Sequence, residues 1–333
     1  MRNVARLPAA DRRALFTNTA SKTGLTNAII EKDFWVCWTL DYLFHRCKWN
    51  NRLAFKGGTC LSKAFQLIER FSEDIDLILD WRVLGYSTDE PWEQRSNTKQ
   101  DRFNKEADER TVIFLRDEFI PEIRADISSE LGVDIRIEPD TEDGQTLLFA
   151  YPQEFSDYLT SQEIRLEIGT LAVWSPSELK EIKSYAAEQY AQVFSEQATR
   201  VLTVQPERTF WEKATILHHE ANRPSSSIIP ARYSRHYYDM FCMSASWVKE
   251  AAFADLDLLD KVTAFKRKFY PRRWARYEDA KPGGMKLLPP NHCIEILEED
   301  YGHMKGMIFG AKPDFKDMMD IIRVLEQEIN NLK

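Results

Sequence analysis

Apolar and polar positions along the chain follow two different patterns, and the change between them falls near residue 176. Before it, strand-length apolar runs alternate with helical stretches. After it, the apolar spacing is that of helices throughout. Residues 8–22 have the spacing of a short helix. Thr26 is placed to cap a longer one from Asn27 to about Cys47, with Ile30, Phe34, Cys37, Trp38 and Leu40 on one broad side. Leu53–Lys56 is a short apolar run that Gly57-Gly58 breaks, and Thr59–Leu67 then reads as a helix. In Asp74–Leu79, a second strand, Ile75, Leu77 and Leu79 alternate with Asp74, Asp76 and Ile78. Gly85–Gln100 is polar, holds Pro91 and reads as an irregular insertion. A helix follows from about Arg102 to Leu131, and Pro121 inside it predicts a kink or a split. Val133–Ile137, Thr146–Tyr151 and Glu163–Val173 read as strands, with the hairpin signal TEDG ahead of Gln145. Helices are then expected over Ser177–Ala191, Glu207–Glu220, Arg232–Ala245, Leu256–Phe269 and Phe315–Leu332, with a loop over residues 222–230. The fold class is α+β: a mixed domain over residues 1–176 and a helical domain over 177–333.

Composition narrows what such a chain does. Its 333 residues suit one large or two modest domains; 43% are apolar and 29% charged, ordinary for a globular protein. A net charge of -8 excludes a general polyanion binder, so any contact with nucleic acid needs a local basic patch. No apolar run reaches the length of a membrane span, and the opening MRNVARLPAADRR lacks the apolar core of a signal peptide. Five scattered cysteines with no C-x-x-C pair fit a reducing cytoplasm. His218-His219-Glu220 is not a zinc motif and reads as a helix surface.

The chemistry concentrates between residues 54 and 80. Glycine lets backbone N–H groups come close to a ligand, and a Gly-Gly between strand and helix points the first turn of the helix at it, as phosphate sites do. The stretch is not a P-loop, because Lys63 follows Gly58 with no second glycine before it. Asp74 and Asp76 lie on one face of their strand, about 7 Å apart, and are hard oxygen ligands suited to Mg²⁺. Alone, the Gly-Gly is a turn and the Asp-x-Asp a solvated strand edge. Together, on adjacent elements, they make a site for a metal–nucleoside triphosphate. The run KRKFYPRRWARY, Lys266–Tyr277, interleaves six basic residues with four aromatics. That suits single-stranded or tRNA-like RNA ends, and equally an amphipathic helix with aromatics in the core.

GGTCLSK followed by RFSEDIDL resembles the first signature of the AbiEii/AbiGii toxin family of nucleotidyltransferases. IIEKDFWV, PERTFWEKATILHH, RYSRHYYDM and GMIFGAKPDF resemble later family segments, so the likeness spans most of the chain. It implies a polymerase-β-like nucleotidyltransferase core with three carboxylates holding two Mg²⁺ ions: Asp74, Asp76 and, on a neighbouring strand, Glu167. On its own Glu167 reads as readily as an exposed strand glutamate. Gly57, Gly58 and Thr59 are then expected to bind the nucleotide. Ser72 resembles the signature serine that donates to phosphate, or it caps the turn. Lys213 is implied to reach the triphosphate, although beside Glu212 it reads as a surface ion pair. Asp239 is implied to act catalytically or to orient Lys213, on a helical face shared with Arg232 and Arg235. Arg70 is a candidate partner for Asp74 or Asp76. Many members have Arg-Asp where this chain has His236, which removes one family acid and leaves Asp239. The implied activity is transfer of NMP from NTP to an RNA 3′ end such as that of tRNA, by the toxin of a toxin–antitoxin or phage-defence pair with a cognate antitoxin. Arg272 and Arg273 are the candidate contacts to that acceptor. Protein nucleotidylation, other phosphoryl transfer, and a non-catalytic nucleotide-binding regulatory module stay open as alternatives.

Overall fold

The computed structural model describes residues 1–157, 161–171 and 176–333. The chain divides into two units, residues 1–64 with 71–204 and residues 65–70 with 205–333. The first unit is built on a seven-stranded mixed sheet. Its strands are β1 (Leu53–Lys56), β2 (Ile75–Leu79), β3 (Arg136–Pro139), β4 (Thr146–Ala150), β5 (Ile164–Gly169), β6 (Ser177–Ile182) and β7 (Thr199–Val204), in the order β3-β4-β5-β2-β1-β7-β6. β2 runs parallel to β5 and β1 to β7; the other pairs are antiparallel.

Helices α1 (Arg2–Ala5), α2 (Ala9–Thr23), α3 (Asn27–His45), α4 (Gly57–Lys63), α5 (Asn97–Phe114), α6 (Ile120–Leu131) and α7 (Tyr185–Gln189) complete this unit. Thr26 starts α3, its hydroxyl accepting the Ile29 N–H at 3.2 Å. Every residue of α3 from Ala28 to Leu43 is buried, so the helix is enclosed on all sides and runs through the unit's core. Trp35, Trp38 and Tyr42 run along it in ring contact, at 5.6 and 6.1 Å between successive centroids. Glu31, Lys32 and Asp33 are buried with them.

Three expectations are corrected. No helix spans residues 177–191; Ser177–Ile182 is the edge strand β6, followed by the short helix α7. Glu178, Leu179, Lys180 and Glu181 favour helix locally, but pairing in register from Ser177–Val204 to Ile182–Thr199 overrides that preference. The sheet therefore continues through Val204, and β7 is a strand that the pattern reading did not identify. The helix after the glycines starts at Gly57 itself and ends at Lys63. Pro121 splits the long helix as expected: a π-helical turn over Leu115–Phe119 separates α5 from α6, and Pro121 falls in the first turn of α6, where its missing N–H costs no intrahelical bond. The expected end of the β5 run, Val173, lies outside the described residues.

The second unit is helical: α8 (Pro206–Ala221), α9 (Ser234–Ser244), α10 (Trp247–Phe253), α11 (Leu256–Phe269), α12 (Ile294–Met304) and α13 (Phe315–Asn330). α8 packs on α9, α10 and α11, and α9 on α12 and α13. His218, His219 and Glu220 are not a helix surface. All three are buried, with the His218 ring between the Arg276 carbonyl and the Lys286 N–H, and the His219 ring tilted against Trp274 at 4.2 Å between centroids. The five cysteines are all free. Among the described residues no helix is long and apolar enough to cross a membrane.

Candidate active site

Strand pairing lines up one row of polar residues across the first unit's sheet. Lys56 on β1 is the register partner of Asp76 on β2, Asp76 of Glu167 on β5, and Glu167 of Thr146 on β4. Register partners share a face, and adjacent strands lie about 4.8 Å apart. Asp74, Asp76 and Glu167 are half-buried, while Ile75, Leu77, Ile164, Leu166 and Ile168 between them are buried on the other face. Alternation thus puts the three carboxylates on one face and the packing residues on the opposite one. Lys56 was not anticipated, because the register that sets it beside Asp76 has no local signature in the sequence.

Gly57 begins α4 immediately after β1, with φ +80°. A Cβ built there would overlap the Asp76 carboxylate. The position needs glycine twice: for its left-handed backbone and for the room it leaves Asp76. Gly58 and Thr59 continue the first turn, whose N–H groups have no intrahelical partner. Thr59 is buried and its hydroxyl donates to the Asp74 carbonyl at 2.5 Å, tying α4 to the start of β2. Ser72 is half-buried two residues before Asp74. Gly57→Ala is expected to add about 1–2 kcal/mol of backbone strain and to displace Asp76. The variant should melt lower than wild type and lose the stabilisation that NTP gives. An unchanged gain in melting temperature with NTP would show that the turn does not serve the nucleotide.

The donor set suits a hard cation. Asp74, Asp76 and Glu167 offer carboxylate oxygens on one face, and two of them are register partners. Among the described residues, however, no three His, Cys, Asp or Glu side chains converge as a ready-made metal cluster.

Lys213 and Asp239 belong to the second unit. Lys213 is no surface partner of Glu212, which instead takes Arg208 at 2.9 Å. Lys213 is buried, with Nζ 2.7 Å from Asp239 Oδ2; burial pushes its pKa down, and Asp239 works against that. Arg70 closes the cluster, donating Nε and Nη2 to the two Asp239 oxygens at 2.7 and 2.9 Å. Burial alone would raise the Asp239 pKa, but Arg70 and Lys213 hold its carboxyl well below the usual range. His236 is half-buried nearby, and desolvation, then Lys213 and Arg235, push its pKa down. Arg232 does not share the helical face of Arg235 and Asp239. It precedes α9 with φ 64°, and its N–H donates to Asp300 Oδ1 at 2.6 Å. The same carboxylate receives the Ser234 N–H at 2.8 Å, which accounts for where α9 begins.

In the basic run, Phe269 and Tyr277 are buried, as is Phe265 just before it, and Trp274 lies against His219, so most of the run's aromatics serve packing. Arg267, Arg272, Arg273 and Arg276 are exposed, together with Tyr270. The charge faces outward over an aromatic interior.

Three comparisons bear on the chain. A family described as "Nucleotidyl transferase AbiEii toxin, Type IV TA system" matches residues 41–322. No curated protein sequence matches. Similar solved structures include MenT4, a nucleotidyltransferase toxin of Mycobacterium tuberculosis H37Rv, at 16% identity and TM-score 0.44, covering 96% of this chain and 97% of that one. JHP933 of Helicobacter pylori is similar at 14% identity and TM-score 0.44, covering 92% of this chain and 93% of that one.

Proposed function

The chain belongs to the AbiEii nucleotidyltransferase toxin family, and from that membership we propose a magnesium-dependent toxin that transfers NMP from an NTP to the 3′ end of an RNA such as tRNA. It is a nucleotidyltransferase. The observation that best supports the finer reading is the register of Asp76 against Glu167, with Gly57 leaving no space between itself and the Asp76 carboxylate. Asp74, Asp76 and Glu167 are the residues that would hold magnesium, which when bound would lower the pKa of the attacking hydroxyl and stabilise departing pyrophosphate. The protein's own contribution is placement. The first turn of α4 presents the N–H groups of Gly57, Gly58 and Thr59 to phosphate oxygens, and Ser72 adds a hydroxyl close to Asp74. Thr59 keeps that turn at a fixed distance from the acids. Exposed Arg272 and Arg273, with Tyr270, suit the RNA acceptor. We place the activity in the cytoplasm, under a cognate antitoxin, as part of phage defence or a similar response.

Magnesium dependence is tested by chelation. Labelling of RNA by an α-labelled NTP should stop in EDTA and return with excess Mg²⁺. Undiminished labelling in EDTA would remove the metal from the proposal. The acceptor surface has its own test. Arg272→Ala with Arg273→Ala should weaken RNA binding, leave NTP binding unchanged, and reduce the log–log salt slope by roughly 0.7 for each RNA phosphate that the two arginines neutralise. Identical slopes for wild type and the double variant would mean that the run is a solvated face over packed aromatics.

A further inference from the structure

Three consecutive charged residues, Glu31-Lys32-Asp33, are buried in the second turn of α3, and each engages a different part of the first unit. Glu31 accepts the N–H groups of Glu154 and Phe155 at 2.8 and 2.9 Å. Lys32, fully buried, donates to Glu73 Oε2 at 2.6 Å and to the Ser161 carbonyl and hydroxyl at 3.0 and 2.6 Å. The Ser161 N–H returns to the same Glu73 oxygen at 3.2 Å. Glu73 immediately precedes Asp74, and Ser161 lies three residues ahead of β5, the strand that carries Glu167. One lysine therefore ties together the approaches to both acid-bearing strands. Asp33 reaches the other side of the site. Its Oδ1 is 2.7 Å from Lys63 Nζ, and its Oδ2 accepts the Tyr185 N–H at 2.7 Å. Lys63 ends α4, the helix that Gly57 begins, and its ammonium lies 3.9 Å from the Tyr185 ring centroid.

Buried ion pairs add little net stability over apolar side chains of similar volume, because desolvating two charges offsets their attraction. They do impose directional geometry. Here adjacent residues of one helix fix the two things that must be aligned: the acids, through Lys32, and the glycine turn, through Asp33. We propose that Lys32 and Asp33 are positioning residues for nucleotidyl transfer, Lys32 setting the carboxylates and Asp33 setting the nucleotide turn; this rests on the transfer reading above. The two should separate kinetically. A misplacement of about 1 Å at reacting groups costs on the order of a hundredfold in rate.

The test compares kcat and the NTP KM, well below the melting temperature of each variant, with the folded state checked by circular dichroism. Lys32→Met with Glu73→Leu removes both charges at once, so no buried charge is left unpaired. Asp33→Leu with Lys63→Met does the same for the other pair, and Lys32→Arg keeps the charge in a different shape. We expect the Lys32–Glu73 variant to lose about ten- to a hundredfold in kcat with little change in KM. The Asp33–Lys63 variant should chiefly raise KM, and Lys32→Arg should recover only part of kcat. Folded variants with wild-type kcat and KM would overturn the positioning role and leave the transfer reading standing. A wild-type protein that labels no acceptor with any NTP overturns both.

Discussion

Asp76→Asn is expected to lower nucleotidyl transfer by roughly a thousandfold or more while the protein stays folded. The substitution is nearly isosteric, so packing against Gly57 survives. The negative charge at the centre of the row does not. Asp76 stands between Lys56 and Glu167 in register and is half-buried, where a charge acts more strongly than in open water. Asn at this position offers a cation a weaker ligand and leaves Lys56 beside a neutral group. Asp74→Asn should behave alike, since it removes a charged ligand from the same face. The check is the initial rate of incorporation from α-labelled NTP, together with thermal melting. A variant within tenfold of wild type would remove Asp76 from the chemistry.

Asp239→Asn is expected to cost stability rather than leave it intact, by about 3–5 kcal/mol. Asp239 is fully buried and accepts from both Arg70 and Lys213. Asparagine would leave two buried cations around a neutral amide. Lys213→Met should cost less, because the carboxylate keeps its two bonds from Arg70 and one buried charge is gone. The pH dependence follows from the direction of the shift. The folded-state pKa of Asp239 lies below the ordinary value of 3.8, so its contribution is fully present above about pH 4 and fades as pH falls further. The deficit of the variant should be full at pH 7 and shrink in more acidic solution. Urea unfolding at pH 7 measures it, and a loss under about 1 kcal/mol would mean that the cluster is not the ionised network described.

What the sequence revealed depended on how far each feature reaches along the chain. Local alternation was enough to identify β2 and the face of β5 that carries Glu167, and α11 runs from Leu256 to Phe269 as its periodicity predicts. Pro121 announced the break between α5 and α6. Features set by partners far away were hidden. β6 is made of residues that favour helix, and only its pairing with β7 makes it a strand. Lys213 sits beside Glu212, which suggested a surface pair, yet its partner Asp239 lies on the next helix. Lys56 precedes the glycines without any mark of its own, and only the antiparallel register sets it against Asp76. Arg232 fits a helical spacing, but the Asp300 carboxylate takes the free N–H groups there and starts the helix two residues later. Buried charge was the least legible feature, since nothing local in the hydrophilic Glu31-Lys32-Asp33 marks the distant partners that let it be buried.

The measurement that bears most directly on nucleotidyl transfer follows the phosphorus. The protein is incubated with RNA, Mg²⁺ and an NTP labelled either at the α- or at the γ-phosphate, alongside Asp76→Asn as the control. Nucleotidyl transfer predicts that the α label enters the RNA, that the γ label leaves as pyrophosphate, and that neither enters with Asp76→Asn. Incorporation of the γ label, or equal α incorporation by the variant, would contradict it.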